Sequence, residues 1–82
     1  AVEFAPRGVR VNAVSAGTVE TDALSHFPNR EQLLDSARER TPAGRLLDPQ
    51  DVANTVVFLC TDYAAMIRGQ ILVVDGGYSI VA

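Results

Sequence analysis

Apolar positions in this chain gather into two short runs separated by a longer stretch with helical spacing. The first run is Val9-Arg10-Val11-Asn12-Ala13-Val14-Ser15-Ala16, closed by Gly17. Its strand-tolerant residues predict a strand buried on both faces, as in a parallel sheet with helices on either side. Gln70-Ile71-Leu72-Val73-Val74-Asp75, ended by Gly76-Gly77, predicts a second buried strand. Residues 1–5 read as the last turn of a helix stopped by Pro6 and Gly8, with Arg7 and Arg10 as solvated charges near its end. A helix already under way at residue 1 suggests a natural chain that begins earlier.

Between the strands two helices are expected. Asn29 is placed to cap one that runs to about Arg40, with Gln32 three residues on as in a capping box. Leu33, Leu34, Ala37 and Thr41 give it a thin apolar face, and Pro42 closes it. Charged around most of its circumference, it reads as a mobile surface flap over residues 22–41, of the kind that serves as a lid. Pro42-Ala43-Gly44-Arg45 is a turn with Leu46 and Leu47 packed beneath it. Asp48-Pro49-Gln50-Asp51 is a helix start, with Asp48 as N-cap and Pro49 at the first helical position. Val52, Ala53, Val56, Val57, Leu59 and Cys60 then predict a helix well buried against the sheet, with Cys60 a small hydrophobe on that buried face. Residues 64–66 add a turn, and residues 78–82 form an apolar tail. The order is strand, lid, helix, strand: a βαβ crossover, right-handed by the general rule.

Composition sharpens this picture. A chain of 82 residues is at most one small domain, yet 48% of it is hydrophobic and its single cysteine excludes an internal disulfide. So much apolar sequence without a staple calls for a partner surface. The net charge of −3 carries no basic run, which argues against nucleic acid. No apolar run is long enough to span a membrane, and no signal-peptide core opens the chain. Lone Cys60 suits a reducing, cytoplasmic setting. His26, the only histidine, has no acid–base neighbours and reads as a solvated residue of the lid.

In open α/β sheets ligands sit outside the carboxyl ends of the strands, which directs attention to the loop Gly17-Thr18-Val19-Glu20-Thr21. Gly17 allows backbone to approach a flat ligand, and the Thr21 hydroxyl both donates and accepts. Taken alone, Thr21 reads first as a helix cap.

These residues also carry a resemblance. Gly8-Val9-Arg10-Val11-Asn12, Gly17-Thr18-Val19-Glu20-Thr21, Gly44-Arg45, Pro49-Gln50-Asp51-Val52-Ala53, Phe58-Leu59, Gly69-Gln70 and Val74-Asp75-Gly76-Gly77 stand in the order and spacing of the C-terminal part of a short-chain dehydrogenase/reductase. Ser15-Ala16-Gly17 is similar to the enoyl-acyl-carrier-protein reductases, and Thr21-Asp22-Ala23-Leu24, His26-Phe27-Pro28-Asn29-Arg30-Glu31 and Thr41-Pro42-Ala43-Gly44-Arg45 are most similar to enoyl-acyl-carrier-protein reductase III. The resemblance implies the C-terminal part of a Rossmann-type doubly wound parallel sheet. It implies an NADPH-dependent reduction of the C2=C3 bond of an enoyl thioester in fatty acid synthesis, with NADH not excluded as donor.

By the same resemblance the main chain at Val19 faces the nicotinamide carboxamide, with Gly17 beside it, and Thr21 bonds nearby cofactor atoms. Ala23, Leu24, Phe27, Leu33 and Leu34 of the lid are expected to touch the acyl chain, though Leu33 and Leu34 serve equally well to hold the lid down. Arg30, Arg38 and Arg40 either meet an acidic carrier protein or a phosphopantetheine phosphate, or form a plain charged face. The implied partners are an enoyl thioester on acyl carrier protein or coenzyme A, and further copies of the full-length chain in a dimer or tetramer.

What is missing matters as much. No Gly-rich phosphate turn follows a strand, and nothing can be assigned to the adenosine ribose. The family's catalytic pair of tyrosine and lysine is absent, since the chain has Tyr63 and Tyr78 but no lysine. No catalytic residue is therefore expected among these 82. Other readings are a ketoacyl-acyl-carrier-protein reductase, an alcohol dehydrogenase, or a non-catalytic remnant that self-associates through Val52–Cys60 and Ile71–Asp75.

Overall fold

The computed structural model describes residues 1–19 and 28–81. Its regular elements are β1 (Ala13–Ala16), α1 (Arg30–Arg40), α2 (Pro49–Leu59) and β2 (Ile71–Val74), with 3₁₀ turns at Ala5–Arg7, Asp62–Ala64 and Tyr78–Ile80. The two strands pair in parallel, Ala13 opposite Ile71 through Ala16 opposite Val74. This is the expected βαβ arrangement, with α1 inserted before the crossover helix.

Register is set at the amino ends of the strands by one side chain. The Asn12 amide donates to the Ile67 carbonyl at 2.9 Å, and its oxygen accepts the Gln70 N–H at 3.0 Å. Backbone bonds from Gly69 to Val11 and from Ala13 to Gln70, both 2.9 Å, complete the clasp. Arg10, expected as a solvated charge, instead donates to the Thr61 carbonyl at 2.9 Å just beyond α2, where a cation complements the helix dipole.

α2 starts as its sequence dictates. Asp48 accepts the Gln50 N–H, Asp51 accepts the Asp48 N–H at 2.9 Å, and Pro49 occupies the first turn. Arg45 adds a two-pronged ion pair to Asp51 at 2.8 and 3.1 Å. The Arg45 hydrogen bond, then the Asp48 amide, hold the Asp51 carboxyl at about 2. An acid whose folded pKa is depressed contributes stability above its unfolded value, lost as pH falls toward the folded one. Acid unfolding is therefore expected to steepen between the ordinary aspartate value of 3.8 and about 2. Asp51→Asn should flatten that limb in pH-dependent urea melts, and added salt should weaken the effect of the exposed pair.

α1 lacks the expected cap. Asn29 sits at φ −109°, ψ 35°, and its side chain makes no capping bond; a cap requires extended backbone to aim the oxygen at the first amides. At the other end Thr41 is extended, as a residue before proline must be. The first residues differ too: Pro6 lies inside the 3₁₀ turn Ala5–Arg7, and Gly8 closes that turn at φ 77°.

Burial is where expectation and structure part most. Val52, Thr55 and Leu59 of α2 are half-buried at helical spacing, facing the Val14, Leu72 and Val74 side of the sheet. The rest of the helix is open, with Val57 64% exposed, and Cys60 at its end is exposed rather than buried. On the other sheet face Ile71 is 71% and Val73 55% exposed. One helix covers one face of two strands, so the remaining apolar surface is uncovered. The radius of gyration of 15.7 Å compares with about 12 Å for a compact chain of this length. The buried positions are instead Leu34, Thr41, Leu46 and Leu47, together with Ala64. Within the expected flap, Leu34 and Thr41 are buried while most other positions of α1 are exposed.

Candidate functional site

The parallel pairing puts the carboxyl ends of β1 and β2 side by side, and three stretches converge there. The Gly17 N–H donates to the Val74 carbonyl at 3.0 Å, extending the ladder by one bond. The chain leaving β1 is then held by the segment before α2. Leu47 N–H donates to the Thr18 carbonyl at 3.2 Å, and Val19 and Leu47 form a parallel bridge. The Asp75-Gly76-Gly77 turn at the end of β2 forms the third stretch, with the Gly76 carbonyl accepting from the Ala43 N–H at 3.0 Å.

The bridge fixes what Val19 offers. Leu47 bonds to Thr18 rather than to Val19, and in a parallel pairing the bridged residue's own N–H and C=O point the other way. A backbone donor and acceptor side by side match a primary carboxamide, which presents one acceptor and two donors. Gly17 contributes differently. A Cβ built on it would lie 2.8 Å from the Asp75 Cβ and 3.1 Å from its Cα. Its missing side chain makes room for the Asp75 turn, which sequence alone did not suggest.

Asp75 is the residue that sequence reasoning passed over. Its Oδ1 accepts the Gly77 N–H at 2.9 Å and its Oδ2 the Ser79 N–H at 2.8 Å. The Ser79 hydroxyl foremost, then these amides, hold the carboxyl below the usual aspartate range. The available signal was an Asp followed by two glycines directly after a strand, the pattern of a side chain that organises its own turn.

The remaining expected site residues are placed unevenly. Gly17 and Val19 share the carboxyl edge, whereas Thr21, Ala23, Leu24 and Phe27 lie outside the described residues. Leu33 and Leu34 part company: Leu34 is 3% exposed and Leu33 45%. Arg38 pairs with Asp35 at 2.8 Å and Arg30 with Glu31 at 3.0 Å on the surface of α1. An open groove of about 450 Å³ between β1 and α2, lined in part by Arg10, Asn12, Val14, Val56 and Leu59, lies along β1 ahead of this edge. Among the described residues no group of side chains is arranged to hold a metal, and no helix is long and apolar enough to cross a membrane.

Residues 1–79 match the family model described as enoyl-(acyl carrier protein) reductase. The chain belongs to that family of short-chain dehydrogenases/reductases. Two family relatives illustrate its range. A 1-cyclohexenylcarbonyl-CoA reductase of Streptomyces collinus is 49% identical over the whole chain, which spans 30% of that protein. The NADH enoyl-acyl-carrier-protein reductase FabI of Escherichia coli K12 is 44% identical over 94% of the chain and 29% of its own length. Among solved structures, a 4-hydroxyisoleucine dehydrogenase mutant complexed with NADH and succinate superposes with a TM-score of 0.83. It is 26% identical over 96% of this chain and 32% of its own. The fold is therefore α/β of the Rossmann type, and the chain spans about a third of the length of the relatives it matches. The relatives named here are a reductase acting on a CoA thioester, an NADH enoyl-acyl-carrier-protein reductase and a dehydrogenase complexed with NADH.

Proposed function

We propose that this chain is the C-terminal third of an enoyl-thioester reductase and supplies the nicotinamide end of its cofactor site. The observation that carries the reading is the Val19 backbone, turned away from Leu47 at the carboxyl edge of the parallel pair. There its C=O and N–H would hold the carboxamide and so orient one face of the ring toward the substrate. A reduced dinucleotide held there would supply the hydride for C3 of the enoyl thioester, and C2 would take a proton. The chain's own part is orientation: Leu47 and Asp75 keep the Gly17–Val19 edge in place, and α1 is proposed to face the acyl substrate. The proton and the stabilisation of the enolate come from outside these residues, which contain no lysine to serve a tyrosine. The acyl group is carried on acyl carrier protein or coenzyme A. The uncovered faces of α2 and β2 are closed by the remaining fold and by further copies of the enzyme.

The full-length enzyme is expected to oxidise a reduced nicotinamide dinucleotide with crotonyl thioester. NADPH is proposed as donor from the resemblance to the type III reductases, and NADH, named for FabI and for the solved dehydrogenase complex, is assayed beside it. Turnover of an alcohol or ketone with none of the enoyl thioester would overturn the proposal. That outcome favours the second reading, a dehydrogenase, which the likeness to the 4-hydroxyisoleucine enzyme supports.

A further inference from the structure

The Asp75-Gly76-Gly77 turn touches both parts of the candidate site at once. Gly17 approaches so closely on one side that a Cβ there would meet the Asp75 Cβ at 2.8 Å. On the other side, a Cβ on Gly76 would meet Thr41 Cγ2 at 2.7 Å, and one on Gly77 would meet the Pro42 ring at 3.1 Å. The Gly76 carbonyl is bonded to the Ala43 amide across the same contact. Gly17, at the end of β1, and residues 41–43, ahead of Leu47, thus meet this turn in one neck. The turn that forms the neck is shaped by the Asp75 carboxylate, whose two oxygens take the Gly77 and Ser79 amides. Those bonds hold Gly76 and Gly77 at φ 65° and 93°, a left-handed pair that lays bare backbone against residues 41–43.

We infer that Asp75 is a positioning residue: its carboxylate fixes the turn that keeps the Gly17–Val19 edge and the base of α1 at one separation. Both its oxygens are engaged by the turn's own amides, and it acts through Gly17 on one side and through Thr41–Ala43 on the other. Its kinetic consequence rests on the enzyme reading above, whereas its mechanical consequence does not.

The test compares Asp75→Ala and Asp75→Asn with the unaltered full-length enzyme, reading steady-state kinetics and amide hydrogen exchange. For Asp75→Ala, the KM values for reduced cofactor and crotonyl thioester should rise together, by about fivefold, with kcat within about twofold. Exchange at the Ala43 amide should quicken by about tenfold while that of Ala13, bonded to Gln70 at the far end of the sheet, stays unchanged. Asp75→Asn keeps one accepting oxygen and should fall between. A fall in kcat at constant KM would overturn the inference, because it reports only fewer folded molecules. Equal acceleration at Ala43 and Ala13, or none at either, would overturn it as well. If the unaltered enzyme turns over neither cofactor nor thioester, the enzyme reading fails and the exchange pattern alone decides: selective acceleration at Ala43 sustains the positioning role, and its absence ends it.

Discussion

Leu34→Ala is expected to remove about 3 kcal/mol of stability, within the range for truncating a buried leucine. Leu34 is 3% exposed, the most buried large side chain of the described residues, on a helix otherwise surrounded by charge. Its loss leaves a cavity beneath α1, and neighbouring Leu33 cannot fill it because that side chain lies on the open surface. The companion variant Leu33→Ala should cost well under 1 kcal/mol, since an exposed position buries little apolar area. Urea unfolding of the two variants measures the difference. In the full-length enzyme the pair also separates the two roles open to these leucines. Leu34→Ala should lower the melting temperature. Leu33→Ala, if its side chain meets the acyl group, should raise KM for the thioester at unchanged stability.

Gly76→Ala should be comparably damaging, and for two separable reasons. At φ 65° an added Cβ costs about 1 kcal/mol from backbone conformation alone. The same atom would stand 2.7 Å from Thr41 Cγ2 and 3.1 Å from the Ala43 Cβ, which adds about 1–3 kcal/mol of overpacking. Thr41→Ser removes the offending methyl and keeps the hydroxyl that donates to the Ala37 carbonyl. The double variant is therefore expected to recover about 1 kcal/mol relative to additivity, the signature of two residues in contact. Strict additivity in thermal melts would mean that the turn and the base of α1 do not press on each other.

How much of this could be read from the sequence depends on how local the cause is. The start of α2 was legible to the residue, because Asp48, Pro49 and Asp51 satisfy the first helical amides within one turn. The parallel pairing was legible because two short apolar runs flank a helix, leaving few other topologies. Asn29 shows the limit of a local rule: the residue type is right for a cap, and the backbone angles are not. The burial of α2 and of both strands was misjudged for a different reason. Apolar spacing says which face seeks cover, but the cover has to come from a neighbour, and here α2 reaches only one face of the sheet. The neck was illegible altogether. Gly17 with Asp75 and Gly76 with Thr41 are each more than 30 residues apart, and no spacing rule connects them.

The loop that carries the functional reading lies between these cases. A glycine at the end of a buried-type strand marked its position, and the resemblance supplied its meaning. The Leu47 bridge that turns Val19 outward was visible only in three dimensions. The most direct test of that reading is hydrogen exchange at the Val19 amide in the full-length enzyme, with and without saturating reduced nicotinamide dinucleotide. If Val19 holds the carboxamide, its exchange should slow by at least about tenfold on binding, as expected for an open amide that gains a partner. Tight binding of the cofactor with no change at Val19 would contradict the account.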